Sequence, residues 1–350
     1  MQFNIFNENF EWVGVMDWFK SAIWTPRYYD IGDFEIYVGA SRESLELLRM
    51  DYYITRDDDD MVCVLERPNI VTDEDGGKFL ICTGRSIQSI LSRRIVWQQT
   101  NLNGTVEGCI RKLIDENVIN PVIPERRIPG FILGPVQGFT ERMEMQVTGD
   151  NLLDVVTNLC KTYGYGFKVT LDDQRHFVFQ LYRGDDRSYG QTDNPHVVFS
   201  PDFDNLISVD YSADKTLYRN VALVAGEGEG TDRKTVTVGT ASGLGRYECF
   251  VDARDLSTNN GEIPMDTYSN QLMERGVEDL STMGVQESFS GEIEPSVNYA
   301  YKQDYFLGDI IQIENEFGIT AAPRIIEVME CEDENGYSLT PTFDSQEVAQ

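Results

Sequence analysis

The hydrophobic pattern changes from strand spacing to helical spacing between Gly77 and Val96. Residues 79–82 are consecutively apolar, which predicts a strand that is buried on both faces. Gly84 follows and is expected to end the extended run. From Ser86 onward the apolar side chains fall on one helical stripe, at Ile87, Ile90, Leu91 and Ile95. The pattern therefore predicts a strand, a glycine turn and a short amphipathic helix that Ser86 caps.

Longer stretches with helical spacing follow. Residues 105–117 place apolar side chains on one face, after a threonine that is a candidate cap. Residues 151–163 show the clearest stripe, and Gly164 suits the left-handed position that commonly follows a helix. A further helix is predicted over 266–280 and a short one over 41–50.

Alternating apolar and polar residues predict strands in much of the remaining chain. These strands lie at 2–6, 31–38, 61–66, 78–83, 167–171, 177–181, 197–199, 206–211, 220–225 and 234–238. The turn sequence DEDGG over 73–77 joins two of them, and the last fifty residues are again strand-like. We therefore predict a β-rich α+β fold, with two small antiparallel β-barrel-like units near the ends and α+β insertions between them.

The order of these elements divides the chain into five segments. We expect an N-terminal β-barrel-like domain, an α+β insertion, a β segment that completes a barrel, a helical or α+β connector and a C-terminal β-barrel-like domain. In that order they occupy residues 1–93, 94–190, 191–245, 246–295 and 296–350. A chain of 350 residues is long enough to give several such units their own cores.

The charge of the chain argues against nucleic-acid binding. Its 59 acidic and 29 basic residues give a net charge of −30, and such a surface repels phosphates. The charge serves solubility, or it lines a conduit to which DNA must not stick, and composition alone does not choose between these interpretations. The six cysteines are scattered without metal-ligand spacing, so we expect reduced thiols that are mostly buried.

Sequence motifs for catalysis or cofactor binding are not found. The two histidines, His176 and His196, have no neighbouring cysteine and no zinc-protease spacing. The GEGEG sequence over 226–230 lacks the spacing of a phosphate loop and is better explained as a hairpin tip. The carboxylate run Asp57–Asp60 suggests a calcium clip or a solvated loop, and the loop is favoured because consecutive extended residues point apart. We expect no cofactor and no metal.

Two Gly-Asp segments open strand patterns at opposite ends of the chain, Gly32-Asp33 and Gly308-Asp309. Each is followed by a hairpin with an acidic, glycine-containing turn. When the two segments are aligned, the early strand has apolar residues at Phe34 and Ile36, whereas the late strand has them at Ile311 and Ile313. Since this is a difference of one residue, it reverses the buried face and leaves the repeat only suggestive.

The ordered set of these segments resembles the siphophage Gp37-like family. The matching stretches are SAIWTPRYYDIGDFEIYVG over 21–39, the strand-to-helix stretch over 77–96, and the segments 103–121, 127–134 and 304–343. The residues that carry the family signature in this chain are Gly32, Asp33, Gly84, Arg93, Arg94, Gly308 and Asp309.

The resemblance implies a structural virion protein similar to the tail hub, or baseplate hub, at the distal end of a phage tail. It implies a homotrimer at the tail tip, assembled in the host cytoplasm without a membrane segment. The implied partners are the distal tail protein, the tail tube and the tip, fibre or tape-measure proteins. DNA would pass through the lumen without binding directly. The aromatic residues near the N-terminus are the candidate interface, namely Trp12, Trp18, Trp24 and Tyr28.

Two other classes of function remain alternatives. One is a tail-associated cell-wall hydrolase, whose activity usually lies on an extension beyond a hub. Because the sequence ends at Gln350, soon after the last strand pattern, we expect no such enzyme. The other is a host-glycan binding module, which the same N-terminal aromatic residues would suit.

Overall fold

The structure, a computed structural model, describes residues 1–73, 76–206, 210–290, 293–294, 297–314 and 320–344. The predicted strand over 206–211 and the predicted turn over 73–77 lie partly outside these ranges. In the first half of the chain, the strands are β1 Phe3–Phe6, β2 Trp12–Met16, β3 Ser21–Thr25, β4 Asp33–Gly39, β5 Tyr53–Arg56, β6 Asp59–Thr72, β7 Lys78–Ser86, β8 Thr100–Thr105, β9 Phe131–Leu133, β10 Arg142–Val147, β11 Gly166–Leu171 and β12 Phe177–Tyr182.

In the second half, the strands are β13 Val198–Phe199, β14 Asp210–Asp214, β15 Val221–Ala225, β16 Thr235–Val238, β17 Glu248–Asp252, β18 Gln286–Ser290, β19 Gln312–Glu314, β20 Thr320–Ala321, β21 Arg324–Asp333 and β22 Gly336–Asp344. The α-helices are α1 Arg42–Leu47, α2 Val106–Ile114, α3 Leu152–Tyr163 and α4 Met265–Thr282. The β-rich α+β class predicted from the sequence is therefore confirmed.

The two ends of the chain share one sheet. Its eleven strands run in the order β14-β18-β22-β21-β3-β4-β7-β6-β5-β1-β2. The antiparallel pairing of β21 with β3, from Glu330 opposite Trp24 to Asp333 opposite Ser21, joins the C-terminal strands to the N-terminal ones. Among the described residues the sheet is open at β2 and at β14, so it is not a closed barrel, and the predicted pair of barrel-like units is not confirmed.

Together with smaller sheets and the helices, the large sheet forms four hydrophobic cores among the described residues. Side chains of strands β1 to β7 form the first core. Side chains of β13, β19, β21 and β22 form the second. A third core is built by α2 and α3 with the sheets β8–β10 and β11–β12–β9, and it also includes Val62, Ile87, Ile90 and Leu91 from the N-terminal residues. The fourth core lies between α4 and the sheet β16–β15–β17. None of the helices in the described part of the chain is long and apolar enough to cross a membrane.

The stretch over 77–96 departs from its prediction in two ways. Strand β7 continues through Gly84 and ends at Ser86, so the glycine does not turn the chain. A Cβ at Gly84 would lie 1.9 Å from the carbonyl oxygen of Val64, and the glycine is therefore needed where strand β6 comes close. The helix that follows is a 3₁₀ helix, Ile87–Arg93, and the Ser86 hydroxyl accepts the backbone N–H of Gly32 instead of capping it.

The other helices agree with their patterns. Asn151 caps α3 by accepting the backbone N–H of Leu153, and Gly164 follows with a φ of 70°. Thr105 caps α2, and a π-helical segment, Asp115–Ile119, extends that helix to the predicted length. Helix α4 covers the predicted range 266–280. Regular apolar spacing on a helix that packs against a core is thus a dependable predictor here.

Candidate functional site

Tyr28 lies fully buried where the N-terminal strands, the insertion and the C-terminal segment meet. A Cβ on either Gly166 or Gly308 would lie 2.3 Å from Cε2 of its ring, so both glycines leave room for it. Its hydroxyl donates to the carbonyl oxygen of Gly164 at 3.1 Å, and the guanidinium of Arg324 lies 5.3 Å from the ring centroid. Tyr28 therefore holds three parts of one chain together.

The predicted aromatic interface is divided by the structure. Trp24 and Tyr28 are fully buried, with Trp24 packed between Phe3 and Phe34, so placing these two at an interface is wrong. Trp24 is buried because β3 is a central strand of the sheet, with β21 and β4 on its two sides. Tyr28 is buried because Gly166, Gly308 and Tyr182 pack against its ring. Trp12 and Trp18 are exposed, by 61% and 37%, on and beside edge strand β2, and their contact with a partner stays a prediction.

A cavity of about 630 Å³ opens beside Tyr28 and is called the junction cavity below. The N-terminal sheet contributes the loop and strand start over 57–61, and the insertion contributes 167–169 and 182–185. The C-terminal segment contributes Tyr301, Lys302 and 306–309 apart from Gly308. The cavity is thus lined by all three parts of the chain that Tyr28 joins.

The carboxylate run Asp57–Asp60 lines the junction cavity, and each of its members binds a different residue. The partners are Asn4 for Asp57 at 2.7 Å, Arg56 for Asp58 at 2.5 Å, Lys302 for Asp59 at 2.5 Å and Lys168 for Asp60 at 2.8 Å. The side chain of Asp59 is only 7% exposed, so the predicted solvated loop is wrong at this position. In the described ranges no three His, Cys, Asp or Glu side chains gather to hold a metal ion.

A buried ion network continues from this run into the C-terminal strands. Glu330, which is 2% exposed, accepts from Arg56 at 2.8 Å, from Lys302 at 3.0 Å and from the Tyr337 hydroxyl at 3.0 Å. Burial lowers the pKa of Arg56, but the hydrogen bonds and charges of Asp58 and Glu330 outweigh it and raise that pKa above its ordinary value. Removing one member of such a buried network leaves an uncompensated charge, which costs about 3–5 kcal/mol.

The first Gly-Asp segment lies at the start of β4. The backbone of Gly32 is bonded to Ser86 in both directions, and a Cβ there would lie 2.6 Å from the carbonyl oxygen of Thr25. Asp33 accepts from Arg27 at 2.6 Å, and the same guanidinium donates to Glu327 on β21 at 2.5 Å. This ion group, which is partly exposed, ties β4 to the C-terminal strands on the surface.

The second Gly-Asp segment is buried at the edge of the junction cavity. Gly308 has a φ of 97° and faces the Tyr28 ring. Asp309 is 2% exposed and accepts the backbone N–H of Asp185 at 2.8 Å, Nε of Arg187 at 2.7 Å and the backbone N–H of Phe306 at 3.0 Å. Burial raises the pKa of Asp309 above its ordinary value, against the opposing effect of these donors.

The paired arginines of the family signature lie away from this junction. Arg93 ends the 3₁₀ helix and is exposed, and Nε of Arg94 donates to the carbonyl oxygen of Arg126 at 2.8 Å. The guanidinium of Arg126 lies 5.2 Å from the ring of Trp97, which is 55% exposed. The hydrophobic pattern did not indicate this grouping, because Arg126 comes from the proline-rich segment that follows the π-helical end of α2.

The remaining candidates for chemistry have local roles. Nδ1 of His176 lies 2.9 Å from Oδ2 of Asp172 within the β11–β12 hairpin turn, and the ring of His196 lies 5.4 Å from that of Tyr189. The glycine-rich stretch over 226–230 connects β15 to β16, which confirms the hairpin. Cys63, Cys82, Cys109 and Cys160 are buried, Cys249 and Cys331 are half-buried, and all six are free thiols. The site as a whole joins segments through ion pairs and close packing.

The fold defines a class of protein. The structure is similar over its whole length to a tail protein from Neisseria meningitidis, with a TM-score of 0.60, 13% identity, and coverage of 98% of this chain and 95% of that one. The 43 kDa tail protein of prophage MuSo2 from Shewanella oneidensis gives a TM-score of 0.58, 12% identity and coverage of 98% of both chains. Prophage tail protein gp18 from Listeria monocytogenes gives 0.57 and 13%, covering 100% of this chain and 96% of its own. The chain therefore has the fold of phage tail proteins.

The family follows from the sequence. The family model described as Siphovirus ReqiPepy6 Gp37-like protein matches residues 2–343, and the chain belongs to that family. This confirms the resemblance stated above. No curated protein matches the chain.

Proposed function

We propose that this chain is a structural protein of the virion, the hub at the distal end of a phage tail. In this role a homotrimer links the tail tube and the distal tail ring to the tip and gates the passage of DNA. The family match over residues 2–343 and the whole-chain similarity to tail proteins support this proposal.

The observation that carries the proposal is the way in which one chain is fastened into a single block. Strands from both ends share one sheet through the β3–β21 pair, and Glu330 joins Arg56 to Lys302 beneath it. Tyr28 and Asp309 fix the insertion against both. A ring subunit that connects a tube on one side to a tip on the other needs such internal fastening, because relative motion of its parts would loosen both contacts.

Exposed features near the N-terminus suit assembly. Strand β2 is a sheet edge, and Trp12 and Trp18 are large aromatic side chains that solvent reaches. Three copies would bring together 3 × −30 = −90 charges, a repulsion that apolar burial or salt must offset. We therefore expect a trimer that is weaker at low ionic strength and firmer in moderate salt.

The test is the mass of the protein in solution, measured by multi-angle light scattering and native mass spectrometry across a salt series. The protein is measured alone and mixed with the tail tube and distal tail proteins of the same phage. A Trp12→Ala, Trp18→Ala variant should weaken the trimer, whereas Ile70→Ala, at another exposed apolar position of the same sheet, should not. A chain that stays monomeric in every mixture and salt would sink the hub assignment.

We further infer that the hub acts without catalysis, as a binding and gating part. The alternative of a cell-wall hydrolase is tested by incubating purified protein with sacculi from the host. Release of soluble muropeptides that a single carboxylate substitution abolishes would overturn this inference. Binding to sacculi without release, lost in the Trp12→Ala, Trp18→Ala variant, would instead support the glycan-binding alternative.

A further inference from the structure

A group of arginines beside the end of the 3₁₀ helix has no carboxylate partner in the described part of the chain. Arg93, Arg94 and Arg126 form the arginine patch, and within the described ranges none of their nitrogens lies within 4.0 Å of a carboxylate oxygen in an ion pair. The three arginines also lie together, because Nε of Arg94 donates to the backbone of Arg126, and all three line one groove. A carboxylate that reached this surface would meet guanidinium groups that no ion pair in the described ranges already occupies.

Backbone contacts hold the patch in a fixed arrangement. Arg94 donates to the carbonyl oxygen of Arg126, and Nη2 of Arg126 donates to that of Ile95 at 2.6 Å. Neutral carbonyl acceptors position the guanidinium groups without cancelling their charge. Since the side chains of Arg94 and Arg126 are already held, these two would lose little conformational entropy on pairing with an incoming carboxylate.

Apolar side chains surround the patch. Trp97 is 55% exposed, Val122 74% and Ile95 39%. Two grooves, of about 500 and 360 Å³, are both lined by Trp97 and Arg126. A surface that combines tryptophan, arginine and grooves has the composition of a protein-binding hot spot rather than of a surface that only solvent covers.

We propose that the arginine patch and Trp97 receive a carboxylate-bearing surface of the neighbouring copy of this chain. The inference rests on the proposed homotrimer, and it names one side of the contact. A closed threefold ring joins two different surfaces of the same chain. Without the three arginines of the patch, 26 basic residues oppose 59 acidic ones, so the rest of a copy has a formal net charge of 26 − 59 = −33. A second copy is thus the complementary partner that the ring would always supply.

The first experiment compares two variants with the same change of charge. Arg93→Glu, Arg94→Glu reverses two charges of the patch. Arg67→Glu, Lys78→Glu reverses two exposed charges on the large sheet that likewise have no ion pair in the described residues. Sedimentation equilibrium of the full chain in moderate salt should show a trimer weakened by about a hundredfold in the patch variant and unchanged in the control. Circular dichroism and thermal unfolding serve to check that both variants fold.

The second experiment identifies what lies against the patch. A photoreactive phenylalanine derivative replaces Val122, and copies with light and heavy isotopes are mixed before irradiation. Crosslinks between a light and a heavy chain, at peptides that carry Asp or Glu, are the expected result. Trp97→Ala should weaken the trimer less than the double arginine reversal, since it removes apolar contact and keeps the charges.

The outcomes separate this inference from the hub assignment. If the patch variant forms the wild-type trimer and no crosslink joins two copies, the inference is wrong and the hub assignment stands. If the wild type is monomeric in every salt and mixture, both are wrong. If the patch variant loses binding to a short single-stranded oligonucleotide or to the purified distal tail protein but keeps its trimer, the patch serves that ligand and a second copy is excluded.

Discussion

The two Gly-Asp segments place the same two residue types in opposite environments. At the first, the Asp33 side chain is 44% exposed and pairs with an arginine on the surface. At the second, the Asp309 side chain is 3% exposed and accepts three hydrogen bonds from two segments. The first glycine has no left-handed φ, whereas Gly308 has a φ of 97° against the Tyr28 ring.

The structural role of one short motif therefore depends on where it lies in the fold. Asp33 begins a strand inside a large sheet whose ladder already fixes the backbone, so its side chain adds a surface tie. After Asp309 the chain does not enter a strand until Gln312, and the side chain itself replaces the missing ladder bonds for Asp185 and Phe306. The second carboxylate is thus structural in a way that the first is not.

The largest contrast is expected at the glycines. Gly308→Ala adds a Cβ at 2.3 Å from the Tyr28 ring and forces an alanine into a left-handed conformation. We expect the free energy of unfolding to fall by about 4 kcal/mol, the sum of backbone strain and overpacking. Urea denaturation followed by tryptophan fluorescence measures it.

Matched glycines separate the two causes of this loss. Gly336 has a φ of 120°, and no atom lies within 4 Å of the place where a Cβ would stand, so Gly336→Ala should cost only about 1–2 kcal/mol. Gly39→Ala, with open space and no left-handed φ, should be nearly neutral. If Gly308→Ala lowers the free energy of unfolding no more than Gly336→Ala does, the Tyr28 ring moves aside without loss of stability. Tyr28 would then not be tightly packed at the junction.

The one-residue phase difference between the segments gives the next contrast. Aligned on Gly-Asp, Glu35 corresponds to Ile311, and only the isoleucine is fully buried. Ile311→Ala should therefore cost about 3 kcal/mol, whereas Glu35→Ala should stay within about 0.5 kcal/mol of wild type. Equal costs at these two positions would mean that the strands share a phase and that the segments are true structural repeats.

The sequence predicted the elements better than their connections. The stripes over 151–163 and 266–280 became helices because an amphipathic face has one way to bury its apolar side. The turn predicted at Gly84 is wrong, because the glycine instead allows the close approach of Val64 within the sheet. That approach depends on a partner strand, which local spacing does not reveal. The same limit explains why the sequence predicted two barrel-like units and not one shared sheet. The β3–β21 pair joins residues some three hundred positions apart, and no periodicity encodes that pairing.

The site was only partly visible in the sequence. The carboxylate run Asp57–Asp60 is visible in the sequence, but its four partners are not. They lie in different segments, so the network forms only when the chain is folded. Trp24 and Tyr28 looked like interface residues because aromatic content does not distinguish a core from a contact. Trp97 and Arg126 were missed, since their grouping depends on how the proline-rich segment returns to the end of the 3₁₀ helix.

The smallest contrast concerns the negative charge of the two aspartates, which substitution by asparagine removes. Asp309→Asn keeps the shape but presents an amide N–H₂ or a neutral oxygen to three donors, and it should lower the free energy of unfolding by about 2 kcal/mol. Asp33→Asn changes a partly exposed pair and should cost less than about 1 kcal/mol. The two variants are compared by urea denaturation at neutral pH. Equal losses would mean that burial does not distinguish the two segments.

The stability that Asp309→Asn loses should depend on pH, and this dependence tests whether burial or the three donors dominates the ionisation of Asp309. Burial raises the pKa of Asp309 in the folded chain, despite the opposing effect of Arg187 and two backbone N–H groups. The folded state then holds the proton to higher pH than the unfolded state, so ionisation of Asp309 lowers the stability of wild type as pH rises from about 4. The variant lacks this titration, and its deficit should be largest near that pH and shrink toward neutrality. A deficit that instead grows as pH rises would show that the donors outweigh burial, and that the second Gly-Asp segment is held mainly by charge.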